Sequence, residues 1–277
     1  MSAKRVVNSR LDKALVELGL ARSRDHAIEL IALDSVLING SIAQKPDRRV
    51  MQNDQLSLKQ TSKQYVGRGA YKLAGALDRL NLSVDFLIVA DIGSSTGGFT
   101  QILLERGAKS IVAIDVGINQ MSERIRGNPA IVLLEGVNAR LMDRTTHTLP
   151  IIDLVVGDVS FISLCVLVPC VKDVLLQGVG RFVLLVKPQF ELGRQVVSKG
   201  RGVVKDPLNW RQAIIRVAEC YIDNGASIDA IIPSSLAGSM GNREFFISGS
   251  FTTDNLFEGE VDLNAMIDEA FALLENL

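Results

Sequence analysis

With 277 residues, 47% of them hydrophobic and 5% aromatic, the chain can bury one full α/β core and a small companion domain. Its formal net charge of -1 conceals an asymmetry, since residues 1–68 carry 12 Lys/Arg against 7 Asp/Glu and the remainder carries 18 against 24, as expected for a polyanion-binding module beside a ligand-binding body. Only two histidines, no apolar run after the first five residues and a longest apolar stretch (Phe161 to Val171) broken by Pro169 argue against a histidine triad, a metal site, a secretory signal and a membrane span, so a soluble cytoplasmic protein is expected.

In chain order, Leu11, Ala14, Leu15 and Leu18 recur at helical spacing, and Gly19 is placed to end that helix. Ser23 can cap a second helix with Ala27, Ile28, Ile31 and Ala32 as its inner face. Val36-Leu37-Ile38 and Ile42-Ala43 flank Asn39-Gly40, a hairpin signal, because both central residues of a type I′ turn need positive φ. Arg10, Lys13, Arg22, Arg24, Lys45, Arg48 and Arg49 fall on helix starts and turns, where they should stay solvated and available to RNA. The string RLDKALVELGLARSRDHAIELI followed by VLINGSIAQKP resembles the S4-type RNA-binding domain over about residues 9–58.

The expected organisation is therefore an S4-like α+β domain over 1–58, a linker over the polar, aperiodic residues 59–67, and a second domain over 68–277. Arg68, a further candidate RNA contact, opens a helix with a core face of Leu73, Ala76, Leu77 and Leu80. Lys72 sits in its first turn, beside the positive end of the helix dipole, where a cation is slightly unfavourable.

The second domain is organised around Ile88-Val89-Ala90-Asp91-Ile92-Gly93-Ser94-Ser95-Thr96-Gly97-Gly98-Phe99-Thr100. A buried strand ends in an acid, passes through three glycines and opens a helix, the usual place for a nucleotide-like ligand in an open α/β sheet. A second apolar run ends in Asp115, about 20 residues past Gly93, where an acid can accept hydrogen bonds from ribose hydroxyls. A dinucleotide fingerprint would want glycine at 93, 95 and 98. Serine at 95 counts against NAD and a dehydrogenase, and leaves S-adenosylmethionine, which has no phosphates to cradle.

Further apolar strands run through 131–134, 151–158, 182–186, 228–232 and 244–248, alternating with helices over about 161–176, 207–221 and 261–274. The pattern predicts an α/β, Rossmann-like, mostly parallel seven-stranded sheet covered on both faces. Trp210 reads as packing, and Cys165, Cys170 and Cys220, without CxxC spacing, as reduced core residues. Residues 189–206, rich in glycine and charge, form a long loop.

Asp91, Asp115, Asp158 and Lys187 all fall at C-terminal strand ends, and an antiparallel last strand would bring its first residue, Glu244, to the same edge. Two lysines, an aspartate and a glutamate beside a cofactor suit methylation of a ribose 2′-hydroxyl, a poor nucleophile unless its proton is removed or held during in-line attack. In this reading Lys187 accepts or polarises that proton, Asp158 orients Lys187 and the donor, and Lys72 and Glu244 hold the nucleotide.

The segments DIGSSTGGFTQILLERGA, AIDVG, VNAR, GDVSFISL, LVKPQFELGR, GVVKD and GNREFF resemble, in order, the TlyA-like (haemolysin A family) ribosomal RNA 2′-O-methyltransferases. These pair an S4-type domain with an FtsJ-like methyltransferase domain. The resemblance implies a catalytic tetrad of Lys72, Asp158, Lys187 and Glu244. It also implies S-adenosylmethionine contacts at Asp91, Gly93, Ser94, Thr96, Gly97, Gly98, Phe99, Asp115, Val116 and Asn138. Its implied substrate is cytidine ribose in 16S ribosomal RNA, 23S ribosomal RNA or both, as naked RNA, a subunit or the whole ribosome. A catalytically idle RNA-binding or ribosome-assembly factor with the same fold is the alternative. A pore-forming toxin finds no support in the sequence, which has neither an amphipathic strand series nor a long apolar helix.

Overall fold

The computed structural model describes residues 8–21, 23–32, 35–59, 65–143, 146–193, 197–198, 200, 202–238, 241–252 and 262–274. Two compact units divide after Gln64.

The first unit contains β1 (Ser9–Arg10), α1 (Leu11–Glu17), α2 (Arg24–Ala32), β2 (Val36–Ile38), β3 (Ser41–Ile42), β4 (Arg49–Val50) and β5 (Leu56–Leu58). β2 lies between β3 and β5, antiparallel to both, while β1 pairs with β4. Asn39 and Gly40 take φ of 53° and 80°, as the hairpin turn requires. Leu11, Ala14, Leu15, Ala27, Leu30 and Ile31 close the core over Val36 and Ile38. Two expected core positions are corrected. α1 ends at Glu17, which leaves Leu18 outside it and exposed, and α2 turns Leu30 inward and Ile28 outward. Ala27, Leu30 and Ile31 share one stripe at i, i+3, i+4, and a nine-residue helix has room for no second stripe against so small a sheet. Arg22 and the Ala32 side chain lie outside the described residues, as do residues 60–64 of the expected linker.

In the second unit, β6 (Ile88–Ile92), β7 (Ser110–Asp115), β8 (Ile131–Glu135), β9 (Leu154–Gly157), β10 (Gly180–Val186), β11 (Ala226–Pro233) and β12 (Phe245–Phe251) form one sheet. The strand order is β11-β12-β10-β9-β6-β7-β8. Neighbours from β10 to β8 run parallel, and β12 runs antiparallel to both β10 and β11. Alternate residues of the same strands feed two cores. Leu184 and Val186 join Ile92 and Val112 on one face, whereas Val183 and Leu185 join Val89 and Ile111 on the other. Burial on both faces explains why these strands read as unbroken apolar runs.

α3 (Gly69–Arg79) and α4 (Gly98–Glu105) cover the second face with Leu73, Leu77, Phe99 and Leu103. Short helices α5 (Glu123–Arg126) and α6 (Pro188–Glu191) follow β7 and β10. α7 (Pro207–Ile222) and α8 (Leu263–Leu274) pack on the first face. Asp206 caps α7 by accepting from Leu208 N–H at 3.0 Å, and Pro207 supplies its first turn. Trp210 packs as expected, its ring between Phe245 and Phe271 and its Nε1 donating to the Val204 carbonyl at 2.8 Å.

The helix expected over 161–176 is replaced by a 3-10 turn, Leu164–Leu167, and a π-helical stretch, Cys170–Leu175. Pro169 has no N–H to offer an α-helical ladder, and the following turn widens. Phe161, outside the helix, is 90% exposed. The cysteine reading is corrected for two residues. Cys165 and Cys220 form a disulfide, their Cα atoms 5.5 Å apart, because the 3-10 turn lies alongside α7; Cys170 is free and buried.

Candidate active site

The glycine stretch owes its shape to two residues that only glycine suits. Gly93 leaves β6 at φ 81°, and a Cβ there would stand 2.8 Å from the Asp158 carbonyl oxygen. Gly97 caps α4 at φ 90°, and a Cβ there would run into Ile125. Between them Ser95, at φ 46°, turns its N–H to the Asp115 carboxylate at 2.8 Å, and Gly117 N–H meets the other carboxylate oxygen at 2.7 Å.

Three adjoining hollows open along this sheet edge. The first, about 360 Å³, is lined by Gly93, Ser95, Asp115, Val116, Val137, Asn138 and Phe161 among others. The second, about 200 Å³, is lined by Gly69, Gly93, Ser94, Ser95, Thr96, Gly98, Phe99, Asp158, Ser160 and Lys187. The third, about 260 Å³, is lined by Arg68, Lys72, Ser160, Lys187, Gln189, Phe190, Ala237, Gly238 and Glu244. Gly93, Ser95, Asp158 and Ser160 belong to both the first and the second, and Ser160 and Lys187 to both the second and the third.

The four charged residues of the edge meet as two ion pairs. Lys187 Nζ lies 2.6 Å from Asp158 Oδ1 and donates to Ser160 Oγ at 2.8 Å. Lys72 Nζ donates to Glu244 Oε2 at 2.6 Å. Both lysines are 8% exposed. β9 and β10 deliver Asp158 and Lys187 at neighbouring strand ends, and Pro188 keeps Lys187 extended at φ -112°. Glu244 arrives from the start of β12, next to the Val186↔Phe245 pair. Gly238 packs so closely against Glu244 that a Cβ would overlap its carboxylate.

Asp91 and Gly97 do not reach the hollows. Asp91 is fully buried beneath the turn, with Oδ2 accepting from the Thr100 hydroxyl at 2.6 Å and Oδ1 without a partner among the described residues. Burial pushes its carboxyl up to about 7, with the Asp158 and Asp115 charges adding to the effect and the Thr100 hydrogen bond opposing it. Gly97 acts behind the wall, by letting α4 start.

In the first unit Arg10, Lys13, Arg24, Lys45, Arg48 and Arg49 are exposed or half-exposed, as expected. Arg10, however, ends a strand and is gripped by Asp12 through two hydrogen bonds of 3.1 Å, while Arg24 reaches the same carboxylate at 2.8 Å. Burial pushes the Asp12 carboxyl up, but hydrogen bonds from Arg10 and Arg24 outweigh it and bring it down to about 2. Arg68 instead belongs to the second unit, where its Nη2 donates to the Ala237 carbonyl at 2.8 Å.

Residue reasoning overlooked Asp12, Thr100 and Ser160. Asp12 carried a signal, as an acid on the apolar face of α1, and so did Ser160, two residues beyond a strand-end acid; Thr100 looked like any helix residue. Among the described residues, no cluster of metal-binding side chains occurs and no helix is long and apolar enough to cross a membrane.

The doubly covered, mostly parallel sheet sets a lysine–carboxylate cluster beside a glycine turn at the C-terminal strand edge, where open α/β sheets bind their ligands. The FtsJ-like methyltransferase family matches residues 65–251, and the S4 domain matches 9–56. The 16S/23S rRNA (cytidine-2′-O)-methyltransferase TlyA of Mycobacterium tuberculosis is 41% identical over 241 residues, 86% of this chain and 88% of that protein. The 23S rRNA (cytidine-2′-O)-methyltransferase TlyA of Campylobacter jejuni is 34% identical, over 81% of this chain and 92% of its own. A solved structure described as a hemolysin from Streptococcus thermophilus superposes with a TM-score of 0.74 at 32% identity, covering 98% of both chains. The chain belongs to the FtsJ-like methyltransferase family, among the TlyA proteins. Use of S-adenosylmethionine goes with that family.

Proposed function

We infer that the protein methylates the 2′-hydroxyl of a cytidine ribose in ribosomal RNA, with S-adenosylmethionine as donor. The second unit is the methyltransferase and the first its RNA-binding module. The observation that carries this reading is Lys187, whose amine stands on the wall between two hollows with Asp158 at 2.6 Å and Ser160 at 2.8 Å. A group in that place can touch donor and acceptor at once.

The first two hollows suit the donor. Asp115, Val116 and Asn138 would hold its nucleoside, and Gly93, Ser94, Thr96, Gly98 and Phe99 its amino-acid end. When bound, S-adenosylmethionine supplies an electrophilic methyl group on a sulfonium. The third hollow takes the target nucleotide, with Arg68 and Lys72 at its walls. Lys187 accepts or polarises the hydroxyl proton, Asp158 steadies the amine, and the Lys72–Glu244 pair fixes the sugar while keeping the hollow's charge balanced. Arg10, Lys13, Arg24, Lys45, Arg48 and Arg49 supply the sequence-independent grip on RNA phosphates.

The test is to incubate the protein with methyl-labelled S-adenosylmethionine and unmodified ribosomal subunits, then hydrolyse the RNA in alkali. A 2′-O-methyl group blocks cleavage at its own phosphodiester, so label in an alkali-resistant dinucleotide is expected. Label confined to mononucleotides means base methylation and removes the reading.

A further inference from the structure

One buried side chain, which lines none of the three hollows, fastens together the two loops that carry Asp158 and Lys187. Glu191 ends α6, four residues beyond Lys187, and is 3% exposed. Its Oε2 accepts from the Ser163 hydroxyl at 2.5 Å and its Oε1 from the Leu164 N–H at 2.8 Å. Those two residues begin the 3-10 turn that follows Asp158 and Ser160. The junction is also pinned from outside. Arg216 of α7 donates to the Glu191 carbonyl at 2.8 Å, and the Phe161 and Phe190 rings, one from each loop, lie 5.0 Å apart.

Burial pushes the Glu191 carboxyl up, against the opposing pull of Ser163, Leu164 and Arg216. An apolar side chain of similar size would fill the space without desolvating a charge, so packing alone does not account for an acid here. What the acid adds is direction, because its two oxygens fix the relative position of two segments that leave the sheet beyond the last β9–β10 ladder pair, Gly157 and Leu184. Lys187 needs that, since a long flexible amine is placed only as well as its backbone.

We propose that Glu191 is a positioning residue, whose carboxylate clasps the 158–164 loop to the 187–191 loop and so keeps the Lys187 amine on Asp158 and Ser160. Its effect on rate rests on the methyltransferase reading above; its effect on where Lys187 sits does not.

Two measurements on the full chain separate these. In the first, an amine-acetylating ester is applied to wild type, Glu191→Ala, Glu191→Gln and Ser163→Ala, and labelling of Lys187 and Lys72 is followed by peptide mass spectrometry. Lys72, held by Glu244, is the internal reference. Glu191→Ala should raise the Lys187-to-Lys72 labelling ratio about 5-fold or more, by releasing a buried amine. The Gln side chain can still accept from Leu164 and donate to Ser163, so Glu191→Gln should stay within about 2-fold of wild type. Ser163→Ala, which removes one arm and leaves a smaller defect, should fall between them, and it decides the matter if Glu191→Ala does not fold. An unchanged ratio in both alanine variants, or Lys187 and Lys72 rising together, overturns the proposal.

In the second, methyl transfer to subunits is measured. Glu191→Ala should lower kcat about 10- to 100-fold, as a misplacement of order 1 Å would, with KM for RNA and Kd for S-adenosylmethionine within about 3-fold of wild type. Glu191→Gln should recover most of the rate. A raised KM at unchanged kcat overturns the proposal. A wild type that protects Lys187 as described but deposits no alkali-resistant label removes the reaction reading, and the clasp is then judged by labelling alone.

Discussion

Asp12 in the first unit and Asp91 in the second are both completely buried, yet their carboxyls move in opposite directions, to about 2 and about 7. Asp12 faces Arg10 and Arg24, whose outer ends stay in water, whereas Asp91 faces a threonine hydroxyl under a sealed floor. Loss of solvent acts on both; the partner decides whether the charge survives it. In the first unit a buried acid holds two arginines whose side chains stay largely in water. The second turns its charges inward, with Lys72 and Lys187 hidden at the walls of hollows.

Removing one inward cation should cost the most. Lys187→Ala is expected to lower methyl transfer about 10³-fold while leaving Kd for S-adenosylmethionine within about 2-fold, by the range for general acid–base groups. Single-turnover assays beside calorimetric titration check both halves, and full activity would end the idea of Lys187 as the proton-handling group.

Next comes the floor. Between about pH 4 and 7 folded Asp91 keeps a proton that the unfolded chain has lost, so stability of the second unit falls as pH rises through that window. Asp91→Asn should abolish that slope, a difference of about 2–3 kcal/mol in unfolding free energy between pH 5 and pH 8, read from urea titrations. Parallel midpoints for the two proteins would mean that Asp91 is ionised at neutrality.

A single outward cation matters less. Arg24→Ala should weaken RNA binding about 5- to 10-fold and reduce the slope of log K against log salt by about 1, without touching donor affinity. Filter binding over a salt series reads both. The smallest effect belongs to Asp12, whose folded value lies below its unfolded one, so its contribution is present above about pH 4 and is lost as pH falls towards 2. Asp12→Asn should destabilise the first unit by about 1 kcal/mol at pH 7 and flatten its acid limb in thermal melts.

The strand-end acids were readable because β6, β7 and β9 are buried on both faces and run apolar until a polar residue marks the rim. Lys187 was readable for the same reason, helped by Pro188. The Lys72–Glu244 contact was half readable: an antiparallel last strand puts Glu244 at the edge, but its direct pairing with Lys72, 172 positions away, depends on β12 lying between β10 and β11. Topology of that kind leaves no local mark. Apolar residues from 161 to 176 look helical at any spacing, which hid the 3-10 and π turns around Pro169. Cysteines 55 positions apart likewise gave no spacing to read. Strand-end reasoning gathered the four edge residues and the family resemblance made them a tetrad; the direct Lys72–Glu244 contact and the part of Ser160 beside Lys187 came from the structure.

The tight seat of Gly238 against Glu244 offers a practical tool. One added methyl, in Gly238→Ala, would press on Glu244 Oε1, the oxygen that does not face Lys72, and so move the carboxylate without altering any ionisable group. If that contact matters to the reaction, the variant should lose methyl transfer while keeping its affinity for S-adenosylmethionine, which single-turnover assays beside calorimetric titration would read.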